Sequence, residues 1–266
     1  MSNSLNVATD LAALFPHGIS ELFNWKGMAF DGTIWEINKT AMMALISTAI
    51  CLTFFLVGGR KKALVPTGMQ NVAEVSYEFV DKGIATEVMG HDGHKWTPFL
   101  GAMFFWLFFI NIWSTAPFIQ YPATSRIAIP LVLCMVTYFT FIGVGFYKQG
   151  PLYIFKAIFP PGVPKAIAPL VALIELVSKF AVRPFSLAVR LFANMFAGHI
   201  LLALFALMTA ALVEMNSGWY QGVLAIFPFL GLIFMIAFEL LVAFLQAYIF
   251  TTLTAVYIAE SASEEH

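Results

Sequence analysis

From about Ala166 to Val213 the sequence is apolar with helical patterning for close to 48 residues. After the polar residues Glu214, Asn216, Ser217 and Gly218, a second such stretch runs from Tyr220 to Ala259. As helices these are about 70 Å and about 60 Å long, against a hydrocarbon core of about 30 Å. Neither length suits an upright crossing. Pro184 and Pro228 offer break points, yet the short polar loops that would complete four spans are missing. The expected arrangement is one hairpin of two long helices, bent and strongly tilted in the membrane.

Composition agrees that lipid is the solvent. Of 266 residues, 60% are hydrophobic and 11% are charged, where a soluble domain carries roughly 25% charged residues. The 28 Phe add more bulky apolar surface than a water-soluble fold of this length can hide. The net charge of −1 offers no basic field for nucleic acid. Cys51 and Cys134 both lie in apolar stretches and read as small buried hydrophobes, without a disulfide. The N-terminal residues lack the basic region and small-residue cleavage site of a signal peptide, so the expectation is that they are retained.

The first uncharged run, Thr40 to Gly59, is long enough to span. Arg60, Lys61 and Lys62 follow at once, which places that end in the cytoplasm and the N-terminus outside. Residues 69–89 differ. Met69, Val72, Ala73, Phe79, Val80, Gly83 and Ile84 gather on one side of a helix, and Glu74, Glu78, Asp81 and Lys82 on the other. That pattern predicts an amphipathic helix at the interface. The following His91-Asp92-Gly93-His94-Lys95 reads as a polar turn, because two His and an Asp in a loop lack the geometry and further ligands of a metal site.

Two more spans are expected at 97–119 and 127–147, the first ending outside near Pro117 and Pro122, the second returning inward to Lys148. Trp106 and Trp113 are expected to face lipid or the interface. The loop 150–164 is rich in Pro and Gly, and with Lys156 and Lys165 it belongs on the basic side. The chain is thus expected to be one all-α integral membrane domain over 1–266. It has an outward segment 1–39, spans at 40–59, 97–119 and 127–147, an interfacial helix at 69–89, and the long hairpin of 166–213 and 220–259. That makes about five transmembrane helices, with the C-terminus cytoplasmic. No internal repeat is evident, which argues against an inverted-repeat transporter.

The long hairpin carries Glu175, Lys179, Arg183, Arg190, His199, Glu239 and Gln246. A cation at mid-membrane costs at least about 2.5–3.5 kcal/mol and survives where it faces protein or a water-filled path. On a helical wheel with Glu175 at zero, Ser186, Lys179, Arg190, Arg183 and Asn194 follow within about 100°, while His199 falls opposite Arg190. On the last helix Glu239, Gln246 and Tyr257 share a face. The wheel therefore predicts two separate polar surfaces pointing different ways. Arg190 stays protonated at any relevant pH, so it cannot relay a proton, but it can attract a mobile carboxylate and drive off its proton. His199 and Glu239 can titrate. Bland alternatives stand beside these: Lys179 and Arg183 snorkelling to headgroups, Glu175 pairing with Lys179, Asn194 and Gln246 as interhelical glue, His199 with Glu239 as a passive buried pair.

The run Arg183-Pro184-Phe185-Ser186-Leu187-Ala188-Val189-Arg190-Leu191-Phe192-Ala193-Asn194-Met195-Phe196-Ala197-Gly198-His199 resembles the corresponding helix of subunit a of rotary F-type ATP synthases. The stretch from Phe238 to Tyr257 is similar to that family's last helix. The resemblance is close over the final hundred residues, and the earlier spans agree in order. It implies a non-catalytic stator subunit in the bacterial plasma membrane, set against a rotating ring of small proteolipid subunits and helices of the peripheral stalk, with no cofactor. On this resemblance Arg190 is the essential arginine facing the ring carboxylates, between two offset aqueous half-channels. His199 and Glu239 would line the outer half-channel, and Asn194 and Gln246 would be polar lining near Arg190. Glu175 would belong to the inner one. Many bacterial members carry Glu at the position of His199 and His at that of Glu239, so here the pair is exchanged. Competing readings are a self-contained proton-coupled transporter, and a membrane hydrolase with His199 and Glu239 as metal ligands. The second lacks a His-x-x-x-His or similar ligand set.

Overall fold

The computed structural model describes residues 39–60, 65–116, 123–158, 167–214 and 219–263. The outward segment 1–38, Lys61, Lys62, Pro117, Pro122 and Lys165 lie outside the described residues. The described chain is all helical. Helix α1 (Lys39–Gly58) is followed by α2 (Met69–Val80), α3 (Thr97–Ile112), α4 (Ala128–Gln149) and a short α5 (Tyr153–Ile158). Then come α6 (Ala168–Val177), α7 (Arg183–Glu214) and α8 (Trp219–Ala262). Among the described residues, four apolar helical stretches are long enough to cross a bilayer: Lys39–Gly58, Ala128–Gln149, Ala168–Val213 and Gly222–Ala262. The fifth expected span is shorter, because α3 ends at Ile112 in a series of turns whose Ser114 and Thr115 hydroxyls cap the last carbonyls.

Two widened turns interrupt the helical rows. After α6, residues Ser178–Val182 form a π-turn that leads straight into Arg183 and Pro184. Proline offers no N–H to the preceding turn and its ring crowds the carbonyl four residues back, so the helix relieves the clash by widening. The extra width changes the helical phase. The wheel angle assigned to Glu175 relative to Arg190 therefore does not hold, whereas Arg183 through His199 lie on one regular helix. Pro228, by contrast, sits inside α8 without ending it.

The second π-turn, Asp81–Thr86, follows α2, and the chain runs on through Glu87–Met89 into a tight turn of helix at Gly90–Lys95. The expected apolar face of this amphipathic segment is divided. Ala73, Val80 and Ile84 are buried, while Met69, Val72 and Phe79 stay exposed at 38–50%. Asp81 also departs from the polar face: its Oδ1 accepts a hydrogen bond from Thr97 Oγ1 and lies 2.7 Å from His94 Nδ1. The wide turn swings this carboxylate toward the start of α3, while Lys82 pairs with Glu78 on the open side.

The core is built from α3 and the facing sides of α1, α4, α7 and α8, with Phe104, Leu107, Ile110, Leu191 and Phe250 fully or almost fully covered. Trp106 and Trp113, both half-buried, also link two helices. Their indole N–H groups donate to Thr48 Oγ1 and Ser47 Oγ, both at 2.8 Å, and fasten α3 to α1. Cys51 and Cys134 are free, buried thiols, and Cys134 Sγ donates to the Pro184 carbonyl at 2.8 Å. The first arm of the long hairpin is the least covered of these four stretches. Only 11% of the most apolar window in Ala168–Val213 is buried, so most of its surface is left for lipid or other protein.

Candidate ion-path site in the long hairpin

Helices α7 and α8 pack along each other and carry every residue singled out above except Glu175, which lies on α6, and Lys179, which lies in the π-turn between α6 and α7. His199 on α7 is buried at 7% exposure, and Glu239 and Gln246 on α8 are buried at 2% each. Gly198 makes the closest approach possible: a Cβ there would lie 3.2 Å from Glu239 Oε1. A larger residue would displace the carboxyl, so the absence of a side chain at 198 sets where it sits.

The two polar surfaces read from the wheel are not separate. Asn194 Nδ2 donates to Gln246 Oε1 at 2.8 Å across the seam. Farther along, the Arg183 guanidinium binds the Glu260 carboxylate and lies 5.1 Å over the Tyr257 ring. The hairpin thus brings Asn194 and Arg183 of one helix against Gln246, Tyr257 and Glu260 of the other, which a wheel drawn for each helix alone does not register.

The cations of the stripe then sort themselves. Lys179 Nζ lies 3.1 Å from Glu175 and also donates to the Ala157 carbonyl. Arg183 is paired with Glu260, not simply snorkelling. Arg190 is exposed, and among the described residues no carboxylate or hydrogen-bond acceptor accompanies it. Leu187, Ala188, Leu191 and Met195 of the same helix are buried, and Arg190 lies within electrostatic range of Tyr257 on α8.

At the other end of the seam a polar cluster gathers that the charge pattern did not reveal. Both Glu239 carboxyl oxygens are buried and make no hydrogen bond by geometry among the described residues, although Ser114 is a close polar neighbour. Ser114 and Asn111 are fully buried at the end of α3. Thr124 Oγ1 donates to Asn111 Oδ1 at 2.8 Å, while Asn111 Nδ2 is buried without a partner among the described residues. Lys39, at the start of α1, lies within electrostatic range of His199. Asn111 and Ser114 interrupt an otherwise apolar span in the sequence, a faint signal of this cluster. Thr124 carries no sequence signal of its own.

The described hairpin is that of an apolar membrane protein which exposes Arg190 and buries His199 and Glu239 farther along its seam. The sequence profile of the family described as ATP synthase A chain matches residues 41–259. ATP synthase subunit a of Streptomyces lividans is 40% identical over 233 residues, covering 86% of this chain and 81% of that protein. Its counterpart from Nitrobacter winogradskyi is 41% identical over 231 residues, covering 87% and 91%. That of Pseudarthrobacter chlorophenolicus is 36% identical over 252 residues, covering 94% of each. The chain belongs to the ATP synthase A chain family. It is accordingly a multi-pass, non-catalytic membrane subunit of that complex.

Proposed function

We propose that this chain is the proton-conducting stator of its ATP synthase, offering two offset aqueous half-channels to the carboxylates of a rotating ring of small proteolipid subunits. Arg190 is the charge barrier between them. The observation that carries this reading is the exposed Arg190, unaccompanied by any described carboxylate, while the preceding cations Lys179 and Arg183 are paired. A permanent cation presented outward from an apolar helix asks for a partner carboxylate on a neighbouring protein.

The chemistry divides by titratability. Arg190 cannot give up its proton, so it meets an ionised ring carboxylate and favours that form. His199 and Glu239, with Asn111, Ser114 and Thr124 around them, form the outer half-channel, where water can enter a polar seam. Asn194 and Gln246 line the approach to Arg190, and Glu175 with Lys179 stands at the inner half-channel. Each charge crossing the potential releases about 2.3 kcal/mol per 100 mV. A proton slipping past Arg190 would lose that work, and a fixed positive charge opposes the leak.

The orientation follows the basic residues: Arg60 to Lys62 inside, N-terminus outside, C-terminus cytoplasmic in a bacterial plasma membrane. The broad uncovered surface of the hairpin is the ring-facing side, and the remaining exposed helices face lipid and the peripheral stalk. Replacing Arg190 by Ala in the intact complex tests the reading. Assembly should persist while proton-driven ATP synthesis is lost. Normal coupled synthesis in that variant would sink it.

A further inference from the structure

We propose that Glu260 is a positioning residue for the same proton path: it neutralises Arg183 so that Arg190, and not Arg183, engages the ring carboxylate. This inference rests on the ring-facing reading of Arg190 given above. Arg183 and Arg190 are seven residues apart on one regular helix. That places them about 10 Å apart along the axis and within about 20° around it. A carboxylate travelling along this face meets both positions. In a membrane environment, with little water between, charges at such a distance are only weakly screened.

The two arginines are treated differently by the fold. Arg183 Nη1 donates to Glu260 Oε2, and its guanidinium covers the Tyr257 ring at 5.1 Å. The partners are 77 positions apart in sequence, so the pair exists only because the hairpin closes. The charged or titratable groups facing this arginine are Glu260 and Tyr257 from α8. Lys179, Glu175 and Arg190 lie along its own helical stretch, and Cys134 comes from α4. Lys179 is held by Glu175. Glu260 is 47% exposed, placing it at the rim where the path opens.

With Glu260 neutral, Arg183 becomes a second uncompensated cation on the ring-facing side. A ring carboxylate arriving to collect a proton from the cytoplasm would be held ionised there, and protonation would require a more acidic medium. Proton release in the synthesis direction would be impeded less, because ionisation is then the required step.

The test uses membrane vesicles bearing the assembled complex, with Glu260→Gln, the double variant Arg183→Gln/Glu260→Gln, and Arg190→Ala. The expected result for Glu260→Gln is ATP-driven proton pumping reduced roughly three- to tenfold at neutral pH. Its pH profile should shift to the acid side, with synthesis affected less. The double variant should return rate and profile to within about twofold of the parent, since the stray cation is gone. An unshifted profile in Glu260→Gln, or a double variant no better than the single, overturns the proposal. Loss of the assembled complex in both makes the pair a structural clamp and overturns it too. Coupled synthesis in Arg190→Ala would instead sink the ring-facing reading itself.

Discussion

The side-chain amide of Asn194 donates to Gln246 Oε1 at 2.8 Å, joining α7 and α8 one helical turn from Arg190. Gln246 is buried, so this bond fixes the seam beside the arginine. In lipid such interhelical bonds contribute on average about 0.6 kcal/mol and at most about 1.7 kcal/mol. A double-mutant cycle with Asn194→Ala and Gln246→Ala, read from thermal unfolding of the subunit in the purified complex, should give a coupling in that range. A coupling of zero would remove the bridge from the account.

Glu239→Gln preserves size against Gly198 while removing the titrating carboxyl. Proton conduction through the membrane sector should fall roughly tenfold or more, in line with the loss of an acid–base group from a transfer step. Fluorescence quenching in vesicles stripped of the catalytic sector measures it directly. Unchanged conduction would take Glu239 out of the path.

The hairpin seam also predicts stability. A Cβ on Gly231 would come within 2.6 Å of the Phe205 ring, whereas one on Gly222 meets nothing within 4 Å. Gly231→Ala should therefore destabilise the packed hairpin by about 1–3 kcal/mol. Gly222→Ala should be neutral or stabilising by up to about 1 kcal/mol. Thermal melting of the two variants in detergent ranks them, and the reverse order would contradict the packing.

Asp81 lends itself to a pH experiment. The Thr97 hydroxyl holds its carboxyl below the usual carboxylate range; burial opposes this as the next largest effect, and His94 and Lys82 add to the lowering. A carboxylate depressed in the folded state adds stability above its unfolded pKa of about 3.9 and loses it as pH falls through the lower folded value. The link between the π-turn and α3 should hold across neutral pH and loosen only below about pH 4. Hydrogen exchange of the 81–97 backbone should show that onset, and Asp81→Asn should abolish it.

Much of the architecture was legible because membrane spans announce themselves as uncharged runs. The α1 run ends at Arg60, and the hairpin is betrayed by lengths that no upright helix needs. What escaped was pairing between distant positions. Nothing local marks Arg183 and Glu260 as partners, or Trp113 as a donor to Ser47. The widened turns escaped as well, since a wheel assumes constant twist and Pro184 breaks that assumption one turn early. Asn111 and Ser114 were overlooked because small polar residues near a span end look like ordinary helix termini. Their position beside Glu239 depends on how α3 meets α8.

Helix α8 runs 44 residues without interruption, about 66 Å against a hydrocarbon depth of about 30 Å. If straight, it lies inclined by roughly 60° from the normal, and most of its length becomes travel within the plane of the sheet of lipid. Glu239 and Glu260, about 31 Å apart along the rod, are then separated far more in plan than in depth. On the proposed function, a ring subunit sliding past would meet this helix along its flank, one residue after another, as a vehicle meets markers along a track. Reversing the direction of travel would then reverse the order in which those residues are met.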